Sequence, residues 1–171
     1  MCKFACLTLT CLLAVLSTPA FAGTVIVSFV HPENYTDASL EGRYGPTADQ
    51  WTLDQIGHYL EGLGGRLGPQ QQLALDVLNV DLAGKIEWWR RNAYDLRILR
   101  DAYPPRLALR YRLTEGGRTL LEGEETVVDP NYLANAALYF TPSDPLRFEK
   151  VMLASWFQAR FTDPRSRVSL P

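Results

Sequence analysis

Apolar side chains recur at every second position along some stretches of this chain and at every third or fourth along others, which separates strands from helices. Thr24 to His31 (TVIVSFVH) is β-branched and aromatic, ends at Pro32 and reads as a strand. Its near-continuous apolarity predicts burial on both faces. Leu73, Leu75 and Val77 alternate with Ala74 and Asp76, predicting a strand that runs to Leu82. A break at Gly84 follows, then a loop holding Trp88-Trp89-Arg90-Arg91, then an expected strand across Tyr94 to Arg100 that Pro104-Pro105 ends.

The clearest alternation spans Arg106 to Thr114, with Leu107, Leu109, Tyr111 and Leu113 on one face and Arg106, Ala108, Arg110 and Arg112 on the other. Gly116-Gly117 turns the chain, and Thr119 to Asp129 returns. A two-residue turn would set Tyr111 against Glu122 and mix the faces. A three-residue loop, Gly116 to Arg118, sets Arg112 against Glu122, Arg110 against Glu124, Leu113 against Leu121 and Leu107 against Val127. A one-residue slip inverts every side chain, so the second register is expected.

Two stretches carry the helical period. Leu53, Ile56, Leu60 and Leu63 share one face; Thr52-x-x-Gln55 fits a capping box at the start, and Gly64-Gly65 a left-handed stop. Phe148, Met152, Leu153, Trp156, Phe157 and Phe161 form a broader apolar face, opened by Asp144 as cap with Pro145 behind it and closed by Asp163-Pro164. Pro32 to Gln50 is expected as a long loop, and Asn131 to Phe140 fits either a short helix or irregular packed chain. The order strand, helix, four strands, helix predicts an α+β fold: a mostly antiparallel sheet of about five strands with two helices on one face. With no internal repeat or low-complexity linker, residues 23–171 are expected as a single domain, residues 165–171 as a frayed tail.

The first 22 residues have a different character. Lys3 precedes an apolar run from Phe4 to Leu16, Pro19 breaks it, and Ala20-Phe21-Ala22 has the small-x-small pattern that signal peptidase cleaves. That run is 13 residues long and, as a helix, rises only about 20 Å against a hydrocarbon core of roughly 30 Å. A signal peptide cleaved after Ala22 is therefore expected rather than a membrane anchor. Its removal takes Cys2, Cys6 and Cys11, the only cysteines, and leaves 16 basic against 19 acidic side chains. Disulfides, thiol nucleophiles and cysteine-bound metals are then excluded, and the mild negative charge gives no reason to expect nucleic acid or an anionic membrane as partner.

Several features together carry a resemblance. They are Pro32-Glu33-Asn34-Tyr35-Thr36-Asp37 after the first strand, Val80-Asp81-Leu82-Ala83-Gly84 ending the next, and the Arg106 to Leu113 hairpin arm with its Gly123-Glu124 return. Asn131-Tyr132-Leu133 and Pro145-Leu146-Arg147-Phe148-Glu149-Lys150 leading to Trp156-Phe157 complete the set. In this order they resemble an uncharacterised family of exported proteins from Gram-negative bacteria, domain of unknown function 3016. The resemblance implies a periplasmic, single-domain protein; it carries no catalytic residues over.

Candidate chemistry is sparse. His31 and His58 are the only histidines, and His58 is expected to face solvent. His31, Glu33 and Asp37 form a possible polar cluster, although their spacing matches no metal-ligand motif. No G-x-S-x-G, H-E-x-x-H or phosphate-cradling loop is present, and no cofactor or metal is expected. Glu125 falls on the apolar face of the hairpin opposite Leu109. Either it lines a cleft with that cluster or, the favoured reading, a bulge at Gly123 turns it to solvent. Trp88, Trp89, Arg90 and Arg91 are candidate binding residues, because Trp and Arg dominate interface hot spots; the alternative is that one indole plugs the core. The leading expectation is a periplasmic binding or interaction module with an envelope protein partner. A small carboxylate- and His-dependent hydrolase or metal-binding enzyme is the alternative, and it requires His31, Glu33 and Asp37 to converge.

Overall fold

The computed structural model describes residues 23–40, 48–87, 89, 96–135 and 143–163. Six strands and three helices follow in order: β1 (Thr24–Phe29), α1 (Gln50–Gly62), β2 (Gln71–Asp81), β3 (Lys85–Ile86), β4 (Arg97–Ile98), β5 (Arg106–Glu115), β6 (Arg118–Val128), α2 (Tyr132–Asn135) and α3 (Arg147–Phe157). The main sheet has four strands in the order β1-β2-β5-β6, and β3 and β4 make a separate two-stranded ribbon. The α+β class is as expected, but the sheet is mixed. β1 runs parallel to β2, with Val25 beside Leu73 and Val27 beside Leu75, while β2–β5 and β5–β6 are antiparallel. A strand–helix–strand order explains this, since α1 carries the chain back across the sheet and the next strand starts at the same end.

One face of the sheet is the core. Leu73, Leu75, Val77, Leu107 and Leu109 are fully buried and form one cluster with Leu53, Ile56 and Leu60 of α1 and Met152, Leu153 and Phe157 of α3. The opposite face is open: Arg110 pairs with Glu124 and Arg112 with Glu122 across exposed cross-strand positions. Ile26 lies on that face at 48% exposure, so β1 is an edge strand buried on one face only, contrary to the expectation from its apolar run.

The hairpin keeps the expected register from Leu113 inward by another route. Glu115 pairs with Arg118 around a two-residue turn, Gly116 and Gly117 both adopting positive φ as a type I′ turn demands. The extra residue goes into the strand instead, as a bulge at Leu120 between the Thr114–Thr119 and Leu113–Leu121 pairs. The apolar face dictated the register; where the slack went was a matter of turn geometry.

Helix ends differ from the sequence pattern in a similar way. Asp49, not Thr52, caps α1: its carboxylate accepts from the Thr52 amide (2.7 Å) and hydroxyl (2.9 Å) and from the Leu40 amide (3.0 Å). After Gly62 the helix tightens into a 3-10 turn, Leu63–Arg66, and neither Gly64 nor Gly65 is left-handed. Gly64 is needed for a different reason. A Cβ there would come within 2.9 Å of the Gly23 carbonyl, so the bare backbone lets α1 close onto β1. Asp144 accepts from the Leu146 amide (2.9 Å) and pairs with Lys150, with regular helix beginning at Arg147.

Of the stretch expected as a long loop, Pro32 to Leu40 is part of the body, while residues 41–47 lie outside the described residues. After a 3-10 turn at Pro32–Asn34, Tyr35 is buried and its hydroxyl donates to the Val77 carbonyl (2.7 Å), with burial pushing its pKa up to about 12. Asn79, beyond an irregularity at Leu78 in β2, holds Thr36 by two hydrogen bonds, and Asp37 continues alongside Asp81. The strand expected over Tyr94 to Arg100 is reduced to Arg97–Ile98 among the described residues.

Candidate functional site

Beside the apolar body, the β3–β4 ribbon is held by charge. Arg97 on β4 donates to both oxygens of Asp37 at 2.9 Å, to the Ser39 carbonyl at 2.7 Å and to the Gly84 carbonyl at 3.1 Å. Such bidentate, backbone-capped guanidinium geometry fixes orientation as well as charge. Lys85 on β3 pairs with Asp81 at 2.6 Å. Glu87, almost fully enclosed, pairs with Arg100 at 2.8 Å, and Gly84 is required twice over, by its φ of 78° and because a Cβ would come within 2.7 Å of the Ile98 carbonyl. Ribbon and body are thereby locked together through side chains far apart in sequence.

Glu149 completes the cluster from α3. It is 1% exposed; its Oε1 accepts from the Ala83 amide at 2.8 Å, while its Oε2 has no hydrogen-bond partner among the described residues. The same is true of Arg97 Nε. Burial pushes the Glu149 carboxyl above the usual carboxylate range, against the opposing pull of the Ala83 amide and the nearby Arg97 charge. Glu149 and Arg97 line a cavity of about 180 Å³ whose other walls include Leu40, Leu82, Leu99 and Phe148. No sequence motif marks either residue. A weak signal existed for Glu149: it lies four residues before Leu153 and seven before Trp156, on the face that packs inward.

The residues singled out from the sequence are placed as follows. His31 adopts the left-handed conformation and its Nδ1 lies 3.2 Å from Glu33, both largely exposed. Asp37 is turned away into the Arg97 pair, so the three do not meet in one concave site. No group of three His, Cys, Asp or Glu residues that could hold a metal occurs among the described residues. His58 is exposed, as expected. Glu125 faces Leu109 in unbroken register, without a bulge at Gly123. It accepts from Trp156 Nε1 at 2.8 Å and from Arg160 at 3.0 and 2.5 Å, tying β6 to the end of α3. Gly123 is glycine because a Cβ would come within 2.7 Å of the Tyr111 hydroxyl crossing beneath it. Trp89 is 59% exposed and Leu96 60%, both in sequence between β3 and β4. Trp88, Arg90 and Arg91 lie outside the described residues.

A second concavity, about 610 Å³ on the open sheet face, is lined by Asp76, Arg110, Arg112, Glu122 and Glu124. Its two arginines are shared among its three carboxylates, Arg110 with Asp76 and Glu124 and Arg112 with Glu122, which leaves one net negative charge. The molecule is thus an α+β domain with a mixed four-stranded sheet, one open sheet face and a charge-locked ribbon beside it. The chain belongs to the family described as "Protein of unknown function (DUF3016)", whose model matches residues 23–159. No curated protein and no solved structure matches it.

Proposed function

We propose that this protein is exported to the periplasm and works there as a binding module of the cell envelope, offering Trp89 and Leu96 to a protein partner. The observation that carries this reading is the pairing of a rigid base with two exposed apolar side chains beside it. Arg97–Asp37 and Glu87–Arg100 hold the ribbon, while Trp89 and Leu96 present more than half of their surfaces to solvent. Exposed aromatic side chains on a preorganised base recognise partners at low entropic cost. The hydrolase alternative loses support, since His31 and Glu33 face open solvent and Asp37 is committed to Arg97. Export is supported by the residue 1–22 pattern, and no helix among the described residues is long and apolar enough to cross a membrane.

Two measurements test the reading. Mass spectrometry of the processed chain should give an N-terminus at Gly23; an intact Met1 in the cytoplasmic fraction defeats export. Affinity capture from envelope extract should retain a partner with the wild type and lose it with Trp89→Ala/Leu96→Ser at unchanged thermal stability. An identical captured set with the double variant defeats the proposed surface.

A further inference from the structure

The two edges of the main sheet are built differently. Val30 donates to the Val77 carbonyl of β2, and backbone groups alternate sides along a strand, so those of Gly23 and Val25 point away from β2. A Cβ on Gly64 would lie 2.9 Å from the Gly23 carbonyl oxygen and 3.3 Å from the Val25 nitrogen, so the turn after α1 covers the start of the β1 edge. β6 has no such cover. It is 11 residues long, Arg118–Val128, and among the described residues it pairs with β5 alone. Its apolar side chains invite a further strand: Leu120 and Val128 are each 40% exposed, and Leu121 is only partly buried although Leu113 opposite it is 4% exposed. A long edge of this kind is a template for pairing with another chain. Two features interrupt it. The bulge at Leu120 breaks the regular backbone spacing near the turn, and Glu125 sets a carboxylate on the core-facing side, opposite the fully buried Leu109.

We propose that Glu125 guards the β6 edge, keeping it from pairing with the same edge of a second copy of this chain. The Glu125 and Arg160 side chains keep 28% and 39% of their surfaces in contact with solvent. A strand laid along β6 would lie beside this pair and strip that water away, and the desolvation of an ion pair can exceed what its own attraction supplies. The carboxylate cannot swing aside, because Trp156 Nε1 and Arg160 hold both of its oxygens from α3 and the turn that follows it. An apolar side chain at this position would instead complete one continuous face with Leu121 and Val127, each set against an apolar partner on β5. Inward-pointing charges on edge strands act in this way, and here the charge falls within the stretch that the Leu120 bulge leaves regular.

The test separates the charge from the tether it makes. Glu125→Val and the double variant Glu125→Val/Arg160→Met remove the carboxylate, the double variant replacing the whole pair by apolar groups. Arg160→Met weakens the same tether and leaves the carboxylate in place. Sedimentation velocity over a dilution series, with circular dichroism to confirm folding, should find Arg160→Met as monomeric as the wild type. Both Glu125 variants should self-associate at least about tenfold more tightly than the wild type. Hydrogen exchange of the associated form should show new protection in β6 and none in β1. The proposal is overturned if the folded Glu125 variants stay as monomeric as the wild type, or if the new protection lies outside β6. It also fails if Arg160→Met associates to the same extent, since the lost tether would then be the cause. If neither Glu125 variant folds, Glu125 serves the fold itself and the guarding role falls. None of these substitutions touches Trp89 or Leu96, so the guarded edge and the partner surface stand or fall separately.

Discussion

The sheet-and-helix body and the β3–β4 ribbon are built on opposite principles. In the body, residues repeat with the period of their element and converge on one apolar cluster. In the ribbon, two strands of two residues each are too short to hold themselves, and Arg97, Lys85, Glu87 and Glu149 do the holding. Apolar packing is non-directional and tolerates small errors of placement. A buried ion pair does not, because each partner left alone carries an uncompensated desolvation cost. The body can therefore be stable without being informative, whereas the ribbon is the part whose geometry is specific enough to recognise something.

Three substitutions would sharpen or break that contrast. Phe157→Ala should have the largest effect, destabilising the whole fold by about 3–5 kcal/mol in denaturant unfolding, since a fully buried ring leaves a cavity between α3 and the sheet. Arg97→Met should cost about 1–3 kcal/mol, less than a deeply buried pair because both partners keep some solvent contact. The more telling readout is hydrogen exchange: Lys85, Ile86 and Ile98 should lose protection while Leu75 and Leu109 keep theirs. Uniform loss across both regions would show that ribbon and body are one cooperative unit and remove the distinction. Glu149→Gln should change the pH trend rather than cause a drop. A carboxyl whose folded-state pKa lies above its unfolded value contributes stability at pH below the unfolded value, and that contribution is lost as pH rises through the folded one. The wild type should therefore fall behind Glu149→Gln progressively from about pH 4 upward, and parallel stability curves would refute the placement of this carboxyl in a dry site.

What the sequence determined by itself was everything governed by local periodicity. The apolar faces of α1 and α3, the exposure of His58 and the pairing of Arg110 with Glu124 and Arg112 with Glu122 all follow from spacings of two, three or four residues. Asp49 rather than Thr52 as cap, and the bulge at Leu120 rather than a longer loop, are near misses of the same kind: the constraint was legible and its local solution was not. Only the tertiary structure decided that β1 lies parallel at an edge, that Tyr35 anchors the Pro32 to Leu40 stretch in the core, and that Glu125 is a tether to Trp156 and Arg160. It alone brought Asp37, Arg97 and Glu149 together across separations of more than 50 residues. Periodicity reports which face of an element is apolar, and a single charged residue contributes nothing to it. Where that charge finds its partner depends on how the elements pack, which is why Asp37 was legible as a candidate while its pairing with Arg97, and Glu149 beside them, were not.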